Sequence, residues 1–419
     1  MANLRLISAR LIAGRIGSNI ALIAAILWTV SLPFSMAQTV RFTSIFLFSI
    51  LGGFIISVLS DRTGKYRISR ELFFRLIPLP VLALLPLLHF IPYGSNQREL
   101  VLLLPLVVIP WILFSFRNEW PFFFPKLLFA SLLSSFLLLW FFQMLRKPVA
   151  IWYSVRSENE IPDLFLLARP QLGLLTGLMF FLTCSFIQLK KGYYLVATLF
   201  TLIFLYLILA KIAIISFLLV LLLLQILDLR KHPMRFMPVM ALVISGFLVG
   251  LYFLFSTGFV SEALSRDGLS FERYPKAYVN SINSRVVLWK SSFQLLVEEK
   301  NWLIGLPSEK LGAALDEKVG QLNGYLETRH MNPHNQFLYM LLHYGIPGLL
   351  ALLFFWFQVF RMVRKNRALT GLWLFAFFCS MTEIYLDREF GSQIFMLAFL
   401  FSAWSVSDEK PKHFSVHVA

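Results

Sequence analysis

The chain has 419 residues, of which 58% are hydrophobic and only 14% are charged. Soluble globular domains carry about 25% charged residues, so this composition excludes an ordinary soluble protein and indicates a polytopic membrane protein. The net charge of +16 does not indicate nucleic-acid binding, because the Lys and Arg residues are spread over short connections between apolar runs. Both cysteines, Cys184 and Cys379, lie inside apolar runs, so we expect no disulfide framework and no cysteine metal site.

Apolar runs of about 17 to 25 residues, long enough to cross the hydrocarbon core as helices, recur along the chain. We predict about twelve membrane spans, at 17–36, 40–60, 72–93, 98–116, 120–145, 163–188, 192–210, 212–229, 236–256, 336–360, 368–386 and 389–406. The first five hold few residues suited to chemistry and are interpreted as scaffold. The predicted fold class is therefore an all-α polytopic membrane protein.

One long hydrophilic segment interrupts the spans. We predict four regions: transmembrane helices 1–9 in residues 1–256, a large, mainly helical periplasmic loop domain at 257–333, transmembrane helices 10–12 at 334–408, and a tail at 409–419. Lys and Arg gather at the N-terminus and in alternate short connections, which the positive-inside rule assigns to the cytoplasm. Both termini are therefore predicted to be cytoplasmic and the loop domain external.

The sequence Ser35-Met36-Ala37 resembles a signal-peptidase site. The apolar run before it is long for a signal peptide and a second span follows almost at once, so we expect no cleavage.

Two cations lie at predicted external ends of spans. The apolar run at 192–229 would measure about 57 Å as one helix, nearly twice the hydrocarbon thickness, so we predict a turn at Lys211, the only charged residue in its interior. Arg169 lies near the start of the sixth span, where an arginine is costly unless it faces a polar cavity or reaches the membrane surface. Either cation could instead simply mark the end of a helix.

Within the loop domain, Asn283-Ser284-Arg285 begins an amphipathic pattern that predicts a helix extending to about Lys300. Arg285 is expected in the first turn, where a cation opposes the helix dipole unless an anion is also present. Trp289 shares the face of Arg285 and could hold the guanidinium or stack on a sugar.

A polar cluster, Asn332-Pro333-His334-Asn335, runs directly into the tenth span. Asn332 is a candidate N-cap and Pro333 suits the first helical position, which would place His334 in the first turn. The positive end of the helix dipole favours a neutral imidazole there, the form that can accept a proton from a hydroxyl. The alternative is a histidine that merely marks the membrane interface.

The pattern His334-Asn335, nine residues, Gly345, two residues, Gly348 resembles the O-antigen ligase and polymerase superfamily of membrane glycosyltransferases. The resemblance covers about Arg169 to Leu400 and implies a GT-C-like membrane fold. It implies His334 as catalytic base and Arg285 and Lys211 at the donor pyrophosphate. Asn335, Trp289 and Arg169 are predicted as further substrate-binding residues, the last two from their own chemistry and position.

The sequence departs from the family pattern at several places. Lys211 stands where relatives usually carry arginine, and Arg169 where they often carry histidine. The turn Trp302-Leu303-Ile304-Gly305 also matches, although Pro307 replaces a second glycine. Glu383 and Arg388, near the last external hairpin, are interpreted as structural, with the alternative that they brace the site.

The resemblance implies an O-antigen ligase in the bacterial inner membrane with its active site on the periplasmic side. It would move a glycan from undecaprenyl pyrophosphate to a lipid A core sugar. The external segments lack an Asp-x-Asp pair, so we expect an inverting transfer without metal or other cofactor. The partners would be the lipid-linked glycan, lipid A core or a second lipid-linked glycan, and membrane lipids, with no nucleic acid.

Other functions remain open at this level. A polymerase would use the same donor with another lipid-linked repeat as acceptor, and a protein glycosyltransferase would use a protein. A twelve-span secondary transporter commonly has two six-span halves joined by a central cytoplasmic loop, whereas the large loop here follows the ninth span. A passive sensor or scaffold loop would leave the histidine motif unexplained.

Overall fold

The computed structural model describes residues 2–32, 40–60, 74–88, 97–116, 120, 124–146, 169–187, 189–208, 210–229, 245, 281–299, 302–322, 332–386 and 389–408. All regular secondary structure in these residues is helical, which confirms the predicted all-α fold class for this part of the chain. In chain order the helices are α1 (Ala2–Ser31), α2 (Val40–Ser60), α3 (Pro78–Ala83), α4 (Gln97–Ser115), α5 (Phe124–Arg146), α6 (Arg169–Ile187), α7 (Lys191–Leu207), α8 (Lys211–Leu229), α9 (Ser281–Glu299), α10 (Ser308–Leu322), α11 (Gln336–Val363), α12 (Arg367–Ser380) and α13 (Glu389–Asp408).

Apolar helices make up most of the described chain. Three are long and apolar enough to cross a membrane: Ala13–Ser31, Pro170–Ile187 and Gln336–Val363. Eight shorter apolar helices accompany them: Ile45–Ser60, Phe74–Ala83, Pro105–Ser115, Phe124–Leu138, Gly192–Leu207, Lys211–Leu227, Arg367–Ser380 and Gly391–Ser405. Every predicted span except 236–256 overlaps one of these, and 236–256 lies outside the described residues apart from Ser245. The chain is a membrane protein, while the count of twelve crossings and the four regions stay predictions.

Helix α6 lies at the centre of the bundle, packed against α7, α8, α12 and α13. Every residue from Gln171 to Leu182 is buried, as expected for a helix that has neighbours on all sides. At its N-terminal end, a Cβ added to Gly173 would lie 2.9 Å from the Cβ atoms of both Ala210 and Ala213. Small residues at this crossing let the backbones of α6 and α8 approach closely, as in other membrane bundles.

Helix α11 is interrupted by a sharp bend at Gly345, whose φ of 67° and ψ of −158° are essentially restricted to glycine. In a straight helix the N–H of Ile346 would donate to the carbonyl of Leu342. Instead, Ile346 N donates to Trp302 O at 2.7 Å, and Leu342 O accepts from Leu306 N at 2.9 Å. The loop segment from Trp302 to Leu306 therefore satisfies both backbone groups that the bend leaves free.

The loop segment and the bend approach so closely that neither Gly345 nor Gly305 could carry a side chain. A Cβ on Gly345 would lie 2.6 Å from Trp302 O, and a Cβ on Gly305, whose φ is 77°, would lie 2.3 Å from His343 O. The ring Nδ1 of His343 donates to Leu306 O at 2.6 Å. The glycines of the two matched motifs thus face each other across one backbone contact.

The bend turns the second segment of α11 back alongside the first. Phe337 precedes the bend and Phe360 follows it, yet their rings lie 5.3 and 6.1 Å from the ring of Phe377 in α12. A straight helix would separate the two residues by about 34 Å. A Cβ on Gly348 would lie 2.5 Å from Met340 O, so the two segments approach closely just beyond the bend. The N-terminal end of α11 is consequently placed beside α12.

We expect Gly345→Ala to lower the thermal unfolding midpoint of the purified protein in detergent or nanodiscs. The backbone strain alone costs about 1–3 kcal/mol, and the contact with Trp302 O adds to it. The matched control is Gly312→Ala in α10, where a Cβ meets no atom within 4 Å and should leave the midpoint unchanged or slightly raise it. Equal midpoints for the two variants would contradict the role of the bend.

Candidate active site

The candidate site is built around the carboxylate of Glu383, in the chain that follows α12. Its Oε1 lies 2.8 Å from Nδ1 of His334, and its Oε2 lies 3.5 Å from Nη2 of Arg285. Glu383 is only 8% exposed, and a buried carboxylate is stable only when it is paired and hydrogen-bonded. One side chain therefore joins the predicted histidine, the predicted arginine and the end of α12. We call Glu383, His334 and Arg285 the carboxylate cluster.

The N-cap of α11 is Asn335, whose Oδ1 accepts from the backbone N–H groups of Phe337 at 2.9 Å and Leu338 at 3.0 Å. The prediction that Asn332 caps this helix, with the proline after it in the first helical position, is wrong. The Oδ1 of Asn332 instead accepts from the backbone N–H of His334 at 3.0 Å, a local turn that competes with helix formation. His334 therefore precedes the helix rather than lying in its first turn.

His334 has a left-handed backbone conformation, with φ at 43°, which is uncommon outside glycine. Its Nδ1 faces a carboxylate, which can only accept, so Nδ1 carries the proton of the neutral imidazole. The lone pair is then on Nε2. Because the side chain is 32% exposed, the ring is accessible from outside the protein.

Helix α9 confirms that a helix lies in this segment, although it begins at Ser281, before the predicted start at Asn283. Arg285 is the fifth helical residue, so its expected position in the first turn is wrong. Its guanidinium contacts Glu383, and its Nε also donates to Thr382 O at 3.4 Å. An anion was expected beside Arg285, and the carboxylate of Glu383 is one such anion that the protein itself supplies.

The indole of Trp289 fixes α9 to the chain before His334. Its Nε1 donates to the carbonyl of Pro333 at 2.8 Å. The sequence predicted that Trp289 lies on the face of α9 that carries Arg285, and both side chains do reach this site. Its possible contact with a sugar stays a prediction.

The amide of Gln336 holds the chain that follows Glu383. Its Oε1 accepts from the backbone N–H groups of Tyr385 at 2.8 Å and Leu386 at 2.9 Å. Tyr385 in turn donates its hydroxyl to Pro170 O at 3.5 Å. This brings the start of α6 to the same end of the bundle, but the side chain of Arg169, the first residue of α6, lies outside the described residues.

Lys211 is the first residue of α8, three residues after Ile208, which caps the end of α7. The predicted turn in the long apolar run is therefore confirmed. The lysine is partly buried, and its neighbours Ala210 and Ala213 contact Gly173 near the start of α6. It thus lies on a separate helix from the carboxylate cluster, at the end of the bundle where α6 begins.

Sequence reasoning undervalued one residue that the structure places at this site and missed another. Glu383 was interpreted as structural and Gln336 was not considered. A signal was present for Glu383, because an acidic residue at the end of an apolar span is costly unless it is paired. Arg388, the other residue of this hairpin considered in the sequence, lies outside the described residues.

Comparison with known families now adds to this geometry. The O-antigen ligase family model matches residues 196–353, which include Lys211, Arg285 and His334. Over this segment the chain is similar to the O-antigen ligase family. The match supports an O-antigen ligase- or polymerase-type function, and it favours a glycosyltransferase-like membrane enzyme over a transporter. Glu383 and Arg169 lie outside the matched residues. No curated protein matches the chain.

Proposed function

We propose that this protein is an O-antigen ligase that moves a glycan from undecaprenyl pyrophosphate to a sugar hydroxyl of the lipid A core. The observation that carries the proposal is the contact between His334 and Glu383, in a chain whose residues 196–353 match the O-antigen ligase family model. The reaction takes place on the periplasmic side of the bacterial inner membrane, and both termini are cytoplasmic.

His334 acts as the general base. The hydrogen bond to Glu383 holds the imidazole with Nε2 free, and the negative charge of Glu383 stabilises the imidazolium that forms when Nε2 accepts a proton. A base with this orientation contributes on the order of 10²- to 10⁴-fold to the rate of such transfers. Glu383 is a positioning residue, because it acts through His334 rather than on substrate.

The transfer is a single displacement with inversion. The acceptor hydroxyl oxygen forms a bond to the anomeric carbon of the donor glycan as its proton passes to Nε2 of His334. The bond between the anomeric carbon and the pyrophosphate oxygen breaks, and its electron pair leaves with undecaprenyl pyrophosphate.

The leaving pyrophosphate is stabilised by Arg285 and Lys211. Fixed cations aimed at developing negative charge are the main electrostatic device available to such a reaction. Lys211 is the first residue of α8, so the positive end of the helix dipole adds to its charge. Arg169, at the start of α6, is a third candidate for this anion, and Asn335 and Trp289 are candidates for contact with sugar.

The transfer is proposed to need no metal. In the part of the chain that the structure describes, no group of three or more His, Cys, Asp or Glu residues could hold a metal ion. Arg285 and Lys211 would supply the positive charge that a divalent cation provides in other glycosyltransferases. Addition of EDTA during the assay tests this directly.

We expect His334→Ala, Arg285→Ala and Lys211→Ala each to abolish most glycan transfer while the proteins still fold. Loss of the base should lower kcat on the order of 10²- to 10⁴-fold. The measurement is transfer from an undecaprenyl-pyrophosphate-linked glycan to lipid A core by the purified proteins, with and without EDTA. The donor alone is the parallel acceptor, and Lys310→Ala, an exposed cation on α10, is the matched control for lost charge.

The outcomes separate the alternatives. Modification of lipid A core that EDTA does not affect would support the ligase, whereas chain growth on the donor without core would identify a polymerase. Full turnover by His334→Ala would remove the proposed base. Inhibition by EDTA would contradict the metal-free mechanism.

We also expect Glu383→Gln to lower kcat by at least about 10-fold with a smaller change in KM for the donor. Glutamine has nearly the same shape but no charge to stabilise the imidazolium, and its amide can hold the imidazole in the wrong tautomer. Glu299→Gln, at the exposed end of α9, is the matched control. Unchanged kcat in Glu383→Gln would mean that Glu383 serves only to hold Arg285.

A further inference from the structure

The α9–α10 hairpin, which sequence composition assigned to a hydrophilic loop domain, carries an exposed apolar surface. We call it the outer apolar surface; it consists of Phe293 and Val297 on α9 and Trp302, Leu303 and Ile304 in the turn that follows. Val297 is 62% and Leu303 is 73% exposed. Contiguous exposed apolar residues of this size usually mark a contact with a partner or a membrane.

The outer apolar surface continues directly into an exposed apolar stripe of α11, which we interpret as facing lipid and call the lipid-facing stripe. Exposed apolar residues recur there at Ile346, Leu350, Leu353 and Phe357, a spacing that places them along one side of the helix. The first of them, Ile346, donates its backbone N–H to Trp302 O at 2.7 Å. The turn of the hairpin is therefore attached to the outer end of the stripe.

The length of this part of α11 indicates the depth of the turn in the bilayer. From Ile346 to Arg364 the helix rises about 27 Å, close to the roughly 30 Å thickness of the hydrocarbon core. Arg361, Arg364 and Lys365 form a cationic end that the positive-inside rule assigns to the cytoplasmic boundary. The turn at Trp302 then lies at the opposite, outer boundary of the hydrocarbon.

The hairpin has the two-sided character of an interfacial membrane segment. Its ionic side includes the pair of Glu298 on α9 with Lys318 on α10, and this hydrogen bond raises the pKa of Lys318. Leu295 and Leu296 are buried against the rest of the protein. Phe293 and Val297 lie one turn apart on an exposed side of α9 that also carries Lys290 nearer to Arg285. Trp302, in the turn beyond them, is a residue type favoured at membrane interfaces.

We propose that the outer apolar surface seats the α9–α10 hairpin in the outer leaflet of the membrane, in contact with phospholipid acyl chains at the hydrocarbon boundary. The loop domain is thus partly embedded in the membrane. Because α9 carries Arg285 at its other end, this contact also fixes the depth of the carboxylate cluster in the membrane. The proposal depends on the exposed residues and their continuity with α11, and it holds whichever glycan the enzyme transfers.

The test is spin-label accessibility in nanodiscs of phosphatidylethanolamine and phosphatidylglycerol. Both native cysteines would be replaced by alanine, and single cysteines introduced as Leu303→Cys and Val297→Cys. Leu350→Cys on the lipid-facing stripe is the positive control, and Ala313→Cys, one turn before exposed Glu317 on α10, is the aqueous control. Size-exclusion chromatography verifies that each labelled protein is folded and monodisperse.

We expect labels at Leu303 and Val297 to collide with oxygen, which concentrates in lipid, more than with a water-soluble nickel complex, as at Leu350. The label at Ala313 should show the reverse. Preference for the nickel complex at both test positions would overturn the proposal. So would dipolar broadening at Leu303 that disappears on dilution with unlabelled protein, because it would mean that a second copy of the chain covers the surface.

Discussion

The constraint that organises the site is the burial of one negative charge. The carboxylate of Glu383 is held away from water and therefore needs partners, which it finds in an imidazole and a guanidinium from two other parts of the chain. Those partners draw α9 and the start of α11 toward the end of α12. The same pairing leaves Nε2 of His334 available, so the interaction that stabilises the carboxylate also orients the ring for the proposed role as base.

The bend at Gly345 makes this meeting possible. A straight α11 would carry its N-terminal end far beyond the end of α12, whereas the folded helix sets it beside Phe377. The broken backbone hydrogen bond is replaced by two bonds to the segment from Trp302 to Leu306. Helix α9 and the turn after it are thereby attached to α11 at the bend, by Trp289 near His334, and by Arg285 at the carboxylate cluster.

This arrangement gives each matched residue of the histidine motif a distinct physical task. Asn335 caps the helix, Gly345 allows the bend and Gly348 allows close approach of the two segments. His334 is the only one of the four with a side chain that is aimed at a charged partner. Asn335, Gly345 and Gly348 thus shape the backbone, and His334 presents its ring to Glu383.

Several of these features could be predicted from the sequence, because they depend on local patterns. The all-α class follows from long apolar runs, the turn before Lys211 from a run too long for one span, and α9 from its amphipathic spacing. The bend was not predicted, because Gly345 does not interrupt the apolar run that contains it. The contacts of Glu383 were not predicted, because they join residues 49 and 98 positions apart, which no local pattern encodes. The cap at Asn335 was misassigned because neighbouring asparagines offer the same local chemistry.

The most direct test of the central claim is chemical rescue of His334→Ala by imidazole. Truncation to alanine removes a partly exposed ring and opens a site that free imidazole can reach beside Glu383. If His334 is the general base, glycan transfer by the variant should rise with the concentration of neutral imidazole, and the variant that also carries Glu383→Gln should respond much less. Failure of imidazole to restore any transfer to a folded, donor-binding His334→Ala protein would contradict the account.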